Sequence, residues 1–121
     1  MSQAEKGKLY DLEKRSLEFA RRVRILVQGL SKTIGNIEDA RQVVRSSGSV
    51  GANYIEANES LSKKDFLMRI KIARKEAKES GHWLQLIDTG GNLELEKERT
   101  ALLQESRELM MILSAIMRKS S

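Results

Sequence analysis

At 121 residues the chain has the length of one domain and leaves no room for two independent cores. It is 40% apolar and 32% charged, and 22 Lys and Arg against 17 Asp and Glu give a net charge of +5. That is too apolar for a disordered tail and too charged for a membrane protein. The absence of cysteine excludes a disulfide frame, a zinc finger and a thiol nucleophile, and fits a reducing compartment.

There is no proline, and β-branched clusters are few, so helix is predicted throughout. Gly35-Asn36, the segment Asn58 to Ser62, and Gly90-Gly91-Asn92 divide the chain into four stretches, with helices predicted at about 12–32, 36–58, 62–88 and 92–118. Residues 1–8 are expected to be flexible. In the first stretch Leu12, Phe19, Ala20, Val23, Leu26, Val27 and Leu30 recur at helical spacing and define one apolar face. The second opens at Asn36, read as an N-cap, with Glu38 and Asp39 in the first turn, where the helix dipole favours acids. Ile37, Ala40, Val44, Gly51 and Tyr54 continue its period. Its middle, Ser46 to Ala52, holds two glycines, each costing about 1 kcal/mol in a helix interior. Two readings stay open there: close approach of a neighbouring helix, or a loop.

The third stretch starts with Ser62-Lys63-Lys64-Asp65, a capping box with Asp in place of Glu. Phe66, Ile70, Ala73, Ala77, Gly81 and Leu84 run down one face, and Lys71, Lys75 and Lys78 down the opposite one. Gly81 again suggests a tight helix contact. The fourth carries Leu95, Leu102, Leu109, Leu113 and Ile116, with Leu103, Met110 and Met117 beside them. This band is wider than one seam requires, and would suit either two neighbours within the bundle or a second subunit. The predicted fold is all-α, an antiparallel up-down-up-down four-helix bundle. A three-helix domain with a long terminal arm is the alternative.

Little chemistry is available to an enzyme. Glu79 and His82 form an E-x-x-H step, but a di-iron bundle needs a second such step and two further glutamates, and His82 is the one histidine in the chain. Glu76 has no cation three or four residues away on its own helix, so any partner must come from another element. Gly48-Ser49-Val50-Gly51 lacks the spacing and the lysine of a phosphate loop. No enzyme activity, metal or cofactor is expected. Nor is a membrane partner: no stretch approaches the roughly 18 apolar residues of a span. Met1 to Tyr10 has no apolar run of a secretory leader, so a cytoplasmic location is expected.

The positive excess is uneven. Residues 1–93 hold 17 basic and 12 acidic side chains, and residues 94–121 hold five of each. Arg21, Arg22 and Arg24 cluster on the first helix, Arg41 and Arg45 form an i,i+4 pair on the second, and Lys64, Lys71, Lys75 and Lys78 lie on the third. Such faces attract phosphate backbones through counterion release, and equally they keep a bundle soluble. The five aromatic residues, Tyr10, Phe19, Tyr54, Phe66 and Trp83, are too scattered for a stacking platform. Any nucleic acid, RNA being the one expected, is then held by backbone and shape. The competing reading is a structural or protein-interaction module, an oligomeric accessory to another protein.

Two blocks go beyond periodicity. One is Arg45-Ser-Ser-Gly-Ser-Val-Gly-Ala-Asn53-Tyr-Ile-Glu56-Ala followed by Lys64-Asp65-Phe66-Leu; the other is Lys71-Ile-Ala-Arg-Lys75-Glu76-Ala-Lys-Glu79-Ser-Gly-His-Trp83-Leu84. Together they resemble the 23S rRNA intervening-sequence protein family, also called four helix bundle protein, over about residues 12 to 116. The chain departs from the family pattern at Ala57-Asn58 and at Arg74. The resemblance implies a four-helix bundle assembled into a homopentamer. The family is also similar to the accessory variability determinant proteins of diversity-generating retroelements, which are pentameric and basic and work with a reverse transcriptase and nucleic acid. Asn53, Glu56, Asp65, Glu76, Glu79 and Trp83 match the family's motif positions. Their expected role is structural: polar contacts buried between the second and third helices, with Trp83 as an anchor.

Overall fold

The computed structural model describes the backbone of residues 3–121 and side chains from Leu12 onward, and the statements below concern those residues. Four helices follow in order: α1 (Gln3–Gln28), α2 (Ile34–Asn58), α3 (Lys63–Leu86) and α4 (Leu93–Ser120). No strand occurs among the described residues. α1 starts well before Leu12, which corrects the expected start at 12; of the segment 1–8 expected to be flexible, residues 1 and 2 lie outside the described ones. Glu, Lys and Leu propagate a helix without needing a core face, so apolar period alone places the start too late. The helix also ends sooner than 32, because Gly29 N donates to Leu26 O at 3.1 Å and Leu30 N to Val27 O at 3.3 Å, tightening the last turn.

Each helix adjoins two others: α2 lies against α3, α3 against α4, and α1 against α2 and α4. Leu12, Phe19, Val23 and Leu26, Val43, Val50 and Tyr54, Ile70, Ala73, Ala77 and Leu84, and Leu102, Leu109 and Leu113 meet in one fully buried cluster. The predicted faces of α1, α3 and α4 are the buried ones. That of α2 is out of phase. Ile37 is exposed and Val44 half-buried, while Asn36, Val43, Ser46, Ser47, Val50, Tyr54 and Ala57 turn inward. Three of those seven are polar, so a period counted on apolar residues settles on the wrong neighbours.

The N-cap of α2 is Thr33, whose hydroxyl accepts from Asn36 N at 3.1 Å. Asn36 is therefore inside the helix, and no acid occupies its first turn. Its buried amide serves another purpose. Nδ2 donates to Ser31 O and to Asp88 O, both at 2.9 Å, and Oδ1 accepts from Asp88 N at 2.9 Å. One side chain thereby joins the α1–α2 connection to the α3–α4 connection. Ser62 caps α3 by accepting from Asp65 N, and Asn92 caps α4 by accepting from Leu95 N, each at 3.1 Å.

The segment Ser46 to Ala52 is helical throughout, which settles the loop alternative. A Cβ on Gly51 would lie 3.0 Å from Ser16 Oγ, and one on Gly81 would lie 2.9 Å from Ser106 Oγ. Glycine at these two positions lets α1 approach α2, and α4 approach α3, at backbone distance.

Candidate nucleic-acid interface

The candidate cations fall into two groups once their neighbours are known. Those of the first group already have partners within the chain. Arg22 Nε donates to Glu98 Oε1 at 2.8 Å across α1 and α4, and that hydrogen bond holds its guanidinium above the ordinary arginine value. Arg45 reaches across to α3, 3.4 Å from Glu76 and 3.6 Å from Glu79. Arg21 lies 3.7 Å from Glu18 on its own helix. Arg24 turns back to donate to Ala20 O at 3.1 Å. Arg15 and Arg99, which the charge pattern does not single out, behave likewise: Arg15 Nη2 donates to Glu105 at 2.6 Å, and Arg99 binds Glu96 and the carbonyl of Ile87.

The second group is Arg41 on α2 with Lys64, Lys71, Lys75 and Lys78 on α3. All five are exposed, and none has a carboxylate within ion-pair distance among the described residues. The exposed face of α3 reads Lys64, Met68, Lys71, Lys75, Lys78, His82 and Gln85 at alternating three- and four-residue steps. Lys64 to Lys78 covers about 21 Å at the helical rise of about 1.5 Å per residue. No acid interrupts this face, because the acids of α3 point elsewhere. Asp65 sits in the first turn, Glu76 is buried towards α2, and Glu79 meets Arg45. The structure therefore sorts the candidate basic residues by partner, and Arg41 and the four lysines are the ones without a carboxylate among the described residues.

The motif residues divide as well. The Ser46 and Ser80 hydroxyls share a hydrogen bond of 2.8 Å in the buried α2–α3 seam, and Ser80 also reaches Glu76 O at 2.9 Å. Asn53 donates to Ser49 O and accepts from Arg69 Nη1 at 3.2 Å. Glu76 Oε2 has no hydrogen-bond partner, and the Arg45 guanidinium balances its charge from another helix, as its lack of a local cation requires. Trp83 is half-buried against the core, stacks edge-on with His82 at 4.9 Å, and leaves its buried Nε1 without a partner. Glu56 and Asp65, by contrast, are exposed. Asp65 serves the cap of α3, and Glu56 faces outward on the last turns of α2, so the expectation of a buried role is corrected for both.

One feature of this surface escapes a one-dimensional reading. The start of α3 and the end of α4 come together, and Lys64, Leu67, Met68, Lys71, Met117 and Arg118 line an open depression of about 470 Å³. No helix of the described residues is long and apolar enough to cross a membrane.

The model of the 23S rRNA-intervening sequence protein family matches residues 9–115. The chain belongs to that family. The chain is also similar to a solved structure from Bacteroides thetaiotaomicron, a protein with unknown function from the S23 ribosomal protein family. The two are 32% identical, with a TM-score of 0.79, over 92% of this chain and 98% of the other. Among curated proteins, none matches.

Proposed function

We propose that this family member is a non-enzymatic, homo-oligomeric bundle that binds RNA through the lysine face of α3. The observation that carries the reading is the unpaired row Lys64, Lys71, Lys75 and Lys78 on a face free of carboxylates. A soluble bundle needs mixed charge on its surface, and the rest of this molecule supplies it through pairs such as Arg22–Glu98 and Arg15–Glu105. A single-sign row about 21 Å long favours a polyanion, with affinity from released counterions rather than base edges.

The surface supports the assembly part of this reading. Leu17, Ile25, Ile55 and Met111 are exposed large apolar side chains on the flanks of helices, as are Ile34, Leu61, Leu86 and Leu93 near their ends. They support self-association, with the pentamer of the family resemblance as the proposed state. Within each subunit we propose the antiparallel up-down-up-down course. It is supported by pairs whose numbers run oppositely, Arg15–Glu105 with Arg22–Glu98, and Ser46–Ser80 with Asn53–Arg69.

Two measurements test the reading. Reversing Lys71, Lys75 and Lys78 to Glu should abolish retention on RNA at moderate salt, and unchanged retention refutes the binding face. Light scattering should give about 68 kDa, five times the 13.7 kDa subunit, and a mass near that of one subunit refutes the assembly.

A further inference from the structure

The geometry points to a pocket for one unpaired RNA nucleotide at the end of the lysine row, between the first turns of α3 and the last turn of α4. This rests on the RNA-binding reading and adds a substrate class to it: RNA that carries an extruded or bulged nucleotide.

The depression shares Lys64 and Lys71 with the phosphate-binding face, so a backbone following that row arrives at its rim. Arg118, from the far end of the chain, supplies a third cation, and Ser121 completes the lining. Leu67, Met68 and Met117 make up the apolar part of its lining. A volume of about 470 Å³ falls within the usual range of small-molecule sites.

An apolar lining with cations beside it matches a nucleotide, which joins a flat apolar face to an anionic phosphate. The scarcity of aromatic residues is no obstacle for a single base. Thioether sulfur makes favourable contacts with aromatic rings, and a guanidinium plane such as that of Arg118 stacks on a base. A paired base in a continuous duplex cannot enter, since it stays within the stack. An unpaired one enters at the least unstacking cost.

The test compares three fluorescent RNA hairpins binding the intact chain: a perfect duplex, the same duplex with one bulged nucleotide, and the same bulge made abasic. The bulged RNA should bind about tenfold tighter than the other two, the order expected from one stacked base. Substituting Met68→Ser and Met117→Ser together changes no charge. It should remove the preference and leave perfect-duplex affinity within about twofold, with the helical circular dichroism signal retained. Equal affinity for the bulged and abasic RNAs overturns the pocket, because a preference for bent shape alone does not need the base. Wild-type protein that binds the bulge no better than the duplex overturns it too, while leaving the lysine face intact. Failure to bind any of the three refutes the phosphate-binding face itself. The abasic comparison uses unmodified protein, so it tests the pocket even if the double variant folds poorly.

Discussion

Asn36 ties two connections of the bundle together, and its removal has a calculable effect. Asn36→Ala deletes three hydrogen bonds at once, two donated to Ser31 O and Asp88 O and one accepted from Asp88 N. Each contributes about 1 kcal/mol net, and their partners on exposed Ser31 and Asp88 can turn to water once Asn36 is gone. Alanine returns roughly half a kcal/mol of helix propensity. The expected destabilisation is therefore about 2–3 kcal/mol, or about 8–12 °C in melting temperature for a domain of this size. Asn36→Asp isolates the cause. It preserves shape and the acceptor for Asp88 N, but turns a carboxylate oxygen towards two carbonyls, so it should cost at least as much at neutral pH. Urea and thermal unfolding followed by circular dichroism measure both, at one fixed protein concentration because association shifts apparent stability. A change for Asn36→Ala below about 0.5 kcal/mol, with the urea dependence unaltered, would refute the reasoning.

Two further predictions concern close packing and a buried phenol. Gly81→Ala should destabilise by about 1 kcal/mol, because the new methyl meets Ser106 Oγ at 2.9 Å and outweighs the helix propensity gained. In a Ser106→Ala background the same change should stabilise, and an unchanged sign between the two backgrounds in urea unfolding refutes the steric account. Burial raises the Tyr54 phenol above its ordinary value near 10, so the folded state favours the protonated form. That contribution is fully present below pH 10 and is lost as the pH rises through the folded value. Tyr54→Phe should therefore flatten the fall in stability above about pH 10, and parallel alkaline profiles for the two proteins would count against it.

What is legible in the sequence follows from which interactions are local. The core faces of α1, α3 and α4 come from leucine, valine and alanine at helical spacing, and those residues are buried for the same reason that they repeat. Gly51 and Gly81 stand where a neighbouring helix comes close, whereas Gly35 and Gly48 lie inside α2 with no such approach, so a glycine in a helix signals close packing only at some positions. The inward face of α2 resisted the same treatment, since Asn36, Ser46 and Ser47 are buried by satisfied hydrogen bonds that hydropathy does not register.

The candidate site shows the same division. By itself the sequence determined four helices, the residues that build most of the core, and a net charge of +5 concentrated before residue 94. It also placed Lys71, Lys75 and Lys78 on one face, because their spacing is a property of the helix alone. Which cations remain free was decided only by the tertiary structure. Arg22 meets Glu98, and Arg45 meets Glu76, across helices at sequence separations that no local rule covers. The same holds for Arg118 and Lys64, which share a depression only because the ends of α4 and α3 converge. Helical period is set by backbone geometry over a few residues. Charge pairing is set by distance in space, and that distance exists only once the chain has folded.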